Sequence, residues 1–479
     1  MHMTRKFFLT RAGALGAVAA LALTACGSQN AQTSQNTQTS PSTSTSTSAS
    51  ATPAPITEGK GPASRVAITY DGGVLVYDAK DMKLLADIPK EGFLRLSDAG
   101  DNRHLVVADG NSYTFLDTGV WSVAHGDHSH YYTTAPSLSS LSLAADHTGH
   151  VIKDNGKVAA FADGTGSFAV YDPAKLTHDK RTASSLETTT VTLPKPHHGF
   201  AIPLPNDQYL VAVGDSKTRT GAAVVDAQGK TVTESPACPG VHGEAIAKDG
   251  AFSIGCTDGA LIYKDGKFTK ITNPEDPYSR SGNQAGKADS QYVLADYKTD
   301  KDAKLERPEK FSIIDTVAGT RTVYSLPSGV SYTFRSLARG PQGEALLLTT
   351  DGKLRIFDPA TGAELGSVQL MEAWTESETW QDERPALWVD GKTAYVTDPA
   401  TKKLIAVSLS NPAAPKELMS VELPKTPNEI LGVSSSNAAP VEAEAHGAEA
   451  HGSASSSASA DAHESGEAHN HESGEGHSH

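Results

Sequence analysis

The stretch Val74-Leu-Val-Tyr-Asp78 decides the fold, because variants of it recur along the chain. Each copy is a short run of β-branched, aromatic or other apolar residues that ends in Asp or a similar turn residue. The copies are spaced about 40 to 55 residues apart. The later copies are Thr114–Asp117, Ala169–Asp172, Ala223–Asp226, Leu261–Asp265, Ser312–Asp315, Arg355–Asp358 and a degenerate Ile405–Ser408. No long stretch has a clear 3.6-residue apolar period, which argues against a mainly helical fold.

Turn signals separate these runs and predict short antiparallel strands. Asp-Gly, Asn-Gly and Gly-Lys pairs punctuate the chain as hairpin turns do. A second β-rich run precedes many copies, as in Ala345–Gly352. An array of β-meanders at this period is typical of a β-propeller. We therefore predict an all-β protein, a β-propeller of about eight blades. Seven blades is the alternative, since the first and last units can share one blade when the ring closes.

The N-terminus is typical of an exported lipoprotein. Arg5, Lys6 and Arg11 precede or open an apolar run that is too short for a comfortable transmembrane helix. The run ends in Leu-Thr-Ala-Cys26, which resembles the bacterial lipobox. The resemblance implies that Cys26 becomes the lipidated first residue and anchors the protein at the outer face of the cytoplasmic membrane. An ordinary secretion signal with an incidental cysteine is the alternative.

Composition divides the chain into four parts. A signal peptide over residues 1–25 precedes residues 26–63, which are mostly Ser, Thr, Gln, Asn, Ala and Pro and are predicted to be a disordered tether. Residues 64–433 carry the β pattern and form the predicted propeller. Residues 434–479 are rich in Ala, Glu, Ser, Gly and His and have no Phe, Tyr or Trp, so we predict a disordered tail.

The charge and the cysteines narrow the function classes. A formal net charge of −15 argues against a nucleic-acid partner. Besides Cys26, the chain contains Cys238 and Cys256. In an exported protein, a disulfide between them is the simplest interpretation. The alternative is a mixed Cys/His metal site that uses Cys238 near His242.

Histidines cluster in the predicted propeller, and imidazole is a common zinc ligand. The chain has 18 histidines. His128 and His130 share one side of an extended backbone, because side chains alternate with a period of two. Since neighbouring blades can complete such a pair, we predict a zinc site around His128, His130 and His198 with a carboxylate. The candidate ligands are His125, Asp127, His128, His130, His198, His242 and Glu244.

Each candidate also has an interpretation without a metal. The segment His125–His130 is otherwise a solvated polar loop, and His198 and His242 are otherwise hydrogen-bonded at blade edges. Asp127 is either a ligand or the carboxylate that orients an imidazole. The less favoured histidines are His147, His150 and His197, and those expected at the surface or in packing are His104 and His178.

The C-terminal tail is predicted to collect metal. Its histidines stand among glutamates, and a flexible segment of this kind can bind several zinc ions weakly and exchange them quickly. A low-complexity spacer is the alternative. The predicted tail ligands are His446, His451, His463, His469, His471, His477 and His479.

Three motifs together resemble the AztD family of exported bacterial zinc metallochaperones. They are His125-Gly-Asp-His-Ser-His-Tyr-Tyr132, Pro196-His-His-Gly199 and Cys238-Pro-Gly-Val-His-Gly-Glu244. The resemblance implies a β-propeller that binds zinc and hands it to the zinc-binding protein of an ABC importer. It also implies a disulfide between Cys238 and Cys256. This chain departs from the family in two ways. Its tether and lipobox predict a surface lipoprotein instead of a freely diffusing periplasmic protein, and its extra histidines are C-terminal.

The expected function is zinc capture and transfer by a monomer, without catalysis. The tail raises the local zinc concentration, and the body holds the ion more tightly until a partner takes it by ligand exchange. Binding requires neutral histidines, so the affinity should weaken as the pH falls through the imidazole range near 6.5. Copper and nickel also suit these ligands. The alternatives are a metal-dependent hydrolase or lactonase with Glu244 or Asp127 as base, and a non-catalytic protein-binding propeller.

Overall fold

The computed structural model describes residues 54–178, 180–273 and 275–437. Within these ranges the chain forms eight four-stranded sheets. The last sheet in the chain packs against the first through one apolar cluster, so the sheets close into a ring. The prediction of an all-β, eight-bladed propeller is confirmed. The predicted signal peptide, the lipidation site Cys26 and the tail histidines lie outside the described residues.

Blades 1 to 4 are antiparallel meanders, and we number the strands of each blade from the axis outward. Blade 1 contains Ile430–Ser434, Ser64–Tyr70, Gly73–Asp78 and Leu84–Pro89. Blade 2 contains Arg95–Asp98, His104–Ala108, Ser112–Asp117 and Ser137–Ala144. Blade 3 contains Thr148–Asp154, Lys157–Ala162, Ser167–Tyr171 and Thr189–Thr192. Blade 4 contains Ala201–Leu204, Gln208–Gly214, Arg219–Val225 and Thr231–Ser235.

Blades 5 to 8 repeat the same meander. Blade 5 contains Glu244–Ala247, Ala251–Cys256, Gly259–Lys264 and Lys267–Thr272. Blade 6 contains Gln284–Ala285, Tyr292–Asp296, Lys310–Asp315 and Thr320–Ser325. Blade 7 contains Tyr332–Arg339, Ala345–Thr349, Lys353–Phe357 and Glu364–Gln369. Blade 8 contains Ala386–Asp390, Thr393–Asp398, Lys403–Ser408 and Lys416–Glu422.

Blade 1 closes the ring by combining the two ends of the propeller. Its first strand, Ile430–Ser434, comes from the end of the described chain and pairs antiparallel with Ser64–Tyr70. The other three strands come from the beginning. The first and last units, Val74–Asp78 and Ile405–Ser408, lie in different blades, so the seven-blade alternative does not hold; only the strand that follows the last unit joins blade 1. The shared ladder ties the two ends of the propeller together by main-chain hydrogen bonds.

The Asp-ended repeat marks the third strand of each blade. In blades 1 to 7 an aspartate stands at the end of that strand or directly after it, and Ser408 takes this position in blade 8. In several blades the carboxylate accepts a hydrogen bond from the backbone N–H two residues later. This holds for Asp78, Asp226, Asp315 and Asp358, at 2.8–3.0 Å. Such Asx turns reverse the chain into the fourth strand, which explains why this residue type recurs at this position.

The core lies between the blades. Eight apolar clusters are buried, one at each junction of neighbouring blades. Blades 4 and 5, for example, share Phe200, Ile202, Phe252 and Ile254. Burying each such side chain contributes about 1.5–3 kcal/mol. The ring is thereby rigid enough to hold residues of different blades in fixed relative positions.

The alternating strand directions give the ring two distinct faces. Every first strand begins at one face, here called the upper face, and ends at the other, the lower face, because all blades are wound in the same sense. The loops between blades and those between second and third strands lie at the upper face. The loops between third and fourth strands, and the end of Ile430–Ser434, lie at the lower face.

Two small sheets and four 3₁₀ helices complete the described chain. Among these residues, no helix has the length and apolar character needed to cross a membrane. The small sheets join Thr57–Gly59, Val120–His125 and His128–Thr133, and Thr177–His178 with Arg181–Thr182. The helices are Pro173–Leu176, Pro205–Asp207, Lys248–Gly250 and Ser435–Asn437.

The strand Thr57–Gly59 lies inside the segment that the sequence assigned to the tether. It pairs with His128–Thr133 outside the eight blades. A three-residue strand of Thr, Glu and Gly has no apolar alternation, so no local pattern could reveal it. The described fold therefore includes residues before the predicted boundary at residue 64.

Candidate metal centres

Three neighbouring blades bring His150, His198 and His242 together at the upper face. His150 lies near the start of the first strand of blade 3, and the other two lie in the loops that lead into blades 4 and 5. The ring centroids are 5.2 Å apart for His150–His198, 5.2 Å for His198–His242 and 5.9 Å for His150–His242. One ligand nitrogen from each ring lies within 4.8 Å of the others. We call these residues the channel cluster.

Each ring of the channel cluster has its Nδ1 held by an oxygen. The partners are Glu244 Oε1 for His150 at 3.2 Å, Asp163 Oδ2 for His198 at 2.6 Å and the Gly282 carbonyl for His242 at 2.6 Å. A carbonyl oxygen only accepts, so Nδ1 of His242 carries the proton and Nε2 has the lone pair. Metal-binding histidines are commonly oriented in this way by their second nitrogen. The channel cluster thus offers three Nε2 atoms to one ion.

The electrostatics of the channel cluster favour a cation. Burial alone would lower the pKa of His150, but the charge and hydrogen bond of Glu244 outweigh burial and raise it. Burial, and next the charge of His150, hold the pKa of His242 well below its usual range. Among the described residues, Glu244 Oε2 is buried without a hydrogen-bond partner. When zinc displaces the proton of His150, the Glu244 carboxylate lies close to a dication, and its negative charge stabilises the bound ion.

A disulfide fixes the loop that carries His242. Cys238 and Cys256 are bonded to each other, which confirms the predicted pairing and removes both thiolates from the alternative Cys/His site. The backbone N–H of His242 donates to the Gly255 carbonyl at 3.0 Å. Gly243 has φ of +74°, and a Cβ there would lie 2.4 Å from the Gly282 oxygen that accepts from His242. Only glycine fits at that point of the loop.

A second cluster lies on a hairpin inserted between the third and fourth strands of blade 2. The strands Val120–His125 and His128–Thr133 pair so that His125 is opposite His128 and Val123 is opposite His130. All three imidazoles therefore point to one side of the hairpin. Their ring centroids are 5.0–5.4 Å apart, and their candidate nitrogens lie within 4.8 Å of one another. We call these residues the hairpin cluster.

The hairpin cluster is more open than the channel cluster. The side chain of His128 is 56% exposed, and its Nδ1 is 3.2 Å from the fully exposed Asp127 carboxylate. Nδ1 of His130 is 2.6 Å from Glu58 Oε1, which is supplied by the strand Thr57–Gly59. Water has ready access to an ion bound here, so exchange with other ligands should be fast.

Comparisons with known proteins agree with this picture. No family model matches the chain. The zinc chaperone AztD of Citrobacter koseri is 28% identical over 390 residues, which is 79% of this chain and 87% of that protein. Two solved structures of Citrobacter koseri AztD, one of them the apo form, are each 25% identical. Each has a TM-score of 0.66 and covers 78% of this chain and 98% of its own. The chain is a relative of AztD. The family resemblance predicted from the three motifs is confirmed.

The structure divides the predicted ligands of this AztD relative between two clusters. His128 and His130 lie with His125, whereas His198 and His242 lie with His150. The expectation of one site shared by His128, His130 and His198 is corrected. The physical reason is topological: the hairpin follows a third strand and lies at the lower face, whereas His198 precedes a first strand and lies at the upper face.

The two predicted carboxylates belong to neither group of candidate ligands. Asp127 and Glu244 each contact an Nδ1 atom, of His128 and His150 respectively. Both can therefore orient an imidazole, which is one of the two roles that the sequence left open for Asp127.

His150 was predicted to be one of the less favoured ligands, but it belongs to the channel cluster. Its position near the start of a blade, like those of His198 and His242, was the available signal, but a single histidine in a polar strand gave no local support. His197, the neighbour of His198, is buried, and its ring nitrogens lie 2.9 and 3.0 Å from the carbonyls of Lys195 and Ala212. That histidine has a packing role, because both of its nitrogens are used.

Proposed function

We propose that this chain is an extracytoplasmic zinc metallochaperone. It captures zinc and transfers it to the solute-binding protein of a zinc ABC importer. The observation that carries the proposal is the channel cluster, in which three imidazoles from three blades are pre-oriented by Nδ1 acceptors. The name of its relative, zinc chaperone AztD, supports zinc as the cargo. Three neutral imidazoles with an open fourth position also suit tetrahedral zinc.

The two clusters have different roles in this proposal, tight storage and fast exchange of zinc. The channel cluster is half-buried and its rings are held, so it loses little freedom on binding and should be the tighter site. The hairpin cluster is exposed and is held through Glu58 and Asp127, which are themselves at least half exposed. It should therefore take up and release zinc faster. Transfer then proceeds by ligand exchange, in which an incoming group replaces one imidazole at a time and the ion is never free in water.

The end of the described chain lies beside the hairpin cluster. The last described element, Ser435–Asn437, contacts the strand Val120–His125. The seven tail histidines follow this element in the sequence. A flexible segment tethered beside an exposed cluster raises the local concentration of its bound ions there. We propose that the tail collects zinc for the hairpin cluster first.

The proposed location is the outer face of the cytoplasmic membrane, with the protein anchored through Cys26. The disulfide between Cys238 and Cys256 supports an oxidising compartment.

We assign no catalytic role to this chain. Of the two acids that the sequence offered as a base, Glu244 is hydrogen-bonded to a ring of the channel cluster and Asp127 is fully exposed beside His128.

The test is zinc titration of five proteins: the full chain, a chain ending at residue 437, and three variants of the short chain. His150→Ala with His198→Ala removes the channel cluster, and His125→Ala with His128→Ala removes the hairpin cluster. His147→Ala is the matched control, because its side chain is 82% exposed and belongs to neither cluster.

We expect the short chain to bind one tight and one weaker zinc ion. The tight ion should be lost with the channel cluster and the weaker one with the hairpin cluster, and the full chain should bind further weak ions. Zinc-loaded protein should then transfer its ion to the zinc-free solute-binding protein of the importer faster than a chelator in solution can remove it. A short chain that binds no zinc, or a transfer rate equal to spontaneous release, would refute the proposal.

A further inference from the structure

A cavity of about 200 Å³ lies between the first strands of blades 7, 8, 1 and 2. It faces the axis from the part of the ring not occupied by the channel cluster. Its polar lining consists of two guanidinium groups and one carboxylate, and the rest is largely apolar. The residues used below are Arg95, Arg335, Glu429, Phe334, Leu337 and Ile430.

Arg335 is buried with unused hydrogen-bond donors. Its side chain is 6% exposed, and Nη1 donates to the carbonyl and the side-chain oxygen of Asn428. Among the described residues, no acceptor bonds to its Nε or Nη2. Glu429 Oε1 lies 3.4 Å from Nη2, close enough for charge attraction but without a hydrogen bond. A buried donor left without an acceptor is costly, which makes this group a strong attractor for an oxygen ligand.

Glu429 is already engaged by other donors. Its Oε1 accepts from Arg95 Nε at 3.1 Å, and its Oε2 accepts from the backbone N–H of Leu96 at 3.0 Å. One carboxylate therefore faces two guanidinium groups, and the cavity has a net positive charge in a chain of formal charge −15. The Arg95 side chain is 51% exposed, so its remaining N–H groups are open to a ligand.

The apolar walls distinguish the classes of anion. Phe334 lies beneath the Arg335 guanidinium, 5.1 Å from ring centroid to Cζ, and Leu337 and Ile430 add aliphatic surface. A guanidinium binds a planar carboxylate through paired hydrogen bonds. An organic acid can place its carboxylate on the arginines and its hydrocarbon part on these walls, which an inorganic anion cannot do.

We propose that this cavity binds a small organic carboxylate through Arg95 and Arg335. Burial, opposed chiefly by Glu429, lowers the pKa of Arg335 to about 10, so the guanidinium stays protonated at neutral pH. The site lies outside both histidine clusters and does not depend on zinc.

The test is calorimetric titration of succinate and citrate into zinc-free full-length protein. Chelator is dialysed away beforehand, because common chelators are themselves carboxylates, and chloride keeps the ionic strength constant. Sulfate is titrated in parallel. The variants are Arg95→Gln and Arg335→Gln. Lys217→Gln is the matched control, because it removes one positive charge from an exposed loop of the same upper face.

We expect one saturable carboxylate site, weakened about tenfold or more in both arginine variants and unchanged in the control. If circular dichroism shows that Arg335→Gln does not fold, the carboxylate affinity of Arg95→Gln alone tests the site, because the Arg95 side chain is half exposed. Equal affinity for sulfate would overturn the assignment to organic acids. Heats indistinguishable from chloride, or unchanged affinity in Arg95→Gln, would overturn the site itself. Because the protein is free of zinc, failure here is distinct from failure of the metallochaperone proposal.

Discussion

Replacing Glu244 by Gln should weaken zinc binding at the channel cluster without touching a ligand. Glu244 lies 3.2 Å from Nδ1 of His150 and its side chain is 16% exposed. The change removes the negative charge that stabilises a bound dication and loosens the orientation of the ring. Loss of such a supporting group typically costs about 10- to 100-fold in metal affinity, which is about 1.4–2.7 kcal/mol.

The loss should depend on pH, and the structure gives the sign. Glu244 raises the pKa of His150 in the zinc-free protein, against the lowering effect of burial. In the parent protein, protons therefore compete with zinc at His150 already above the ordinary imidazole pKa of about 6.5. In Glu244→Gln the lowering effects of burial and of Arg95 on the pKa of His150 are opposed only by the smaller effect of Asp163, so that competition begins at a lower pH. The difference in affinity should be largest near pH 8 and should narrow as the pH falls towards 6.

The assay is competition with a zinc-responsive dye between pH 6 and 8, on protein shortened to residue 437. Glu187→Gln is the control, since this acid is exposed and belongs to neither cluster. Thermal unfolding of the zinc-free variants shows whether the fold is intact. An unchanged affinity, or a loss of the same size at every pH, would refute the argument that this carboxylate acts through the proton and charge of His150.

Three further changes test how the fold supports the sites. Changing Cys238 and Cys256 together to Ala should cost about 2–5 kcal/mol in thermal or denaturant unfolding and weaken the channel site but not the hairpin site. Asp117→Asn should lower the free energy of unfolding by about 3–5 kcal/mol at pH 7, because it removes the charged partner of the buried Arg103 guanidinium. The pKa of Asp117 is lowered in the folded protein, so its contribution to stability is present above the pKa of the unfolded chain and is lost as the pH falls below about 4. The difference between parent and variant in urea unfolding should therefore be smaller at pH 3 than at pH 7. Glu58→Gln should speed zinc release from His130 and its neighbours about tenfold in stopped-flow chelation, and equal rates would contradict the role given to Glu58.

The fold was readable from the sequence because its signals are local. Seven of the eight third strands end in an aspartate or directly before one, and several of these carboxylates accept a hydrogen bond from the backbone N–H two residues later, so one short motif marks most blades. The hairpin cluster was readable for the same reason. Its three histidines lie within six residues, and strand periodicity alone puts His128 and His130 on one side.

The channel cluster was only partly readable because it depends on the closed ring. His150, His198 and His242 are far apart in the chain, and their contact follows from the shared start of three first strands. Glu58 could not be found, because its strand has no apolar pattern. The assignment of the two clusters to opposite faces requires the direction of every strand, which composition does not contain.

The separation of the clusters constrains how zinc moves through the molecule. Because the clusters lie at opposite faces, we expect the proposed partner, the solute-binding protein of the importer, to take zinc from the channel cluster, and the tail to load the hairpin cluster. The cavity among the first strands of blades 7, 8, 1 and 2 is lined in part by Arg95 and Arg335, whose charges repel a bare dication. Arg95 already acts to lower the pKa of His150. A carboxylate bound between the arginines would cancel the net positive charge of the cavity. Zinc binding at the channel cluster should therefore be stronger with succinate present, whereas binding at the hairpin cluster should not depend on it.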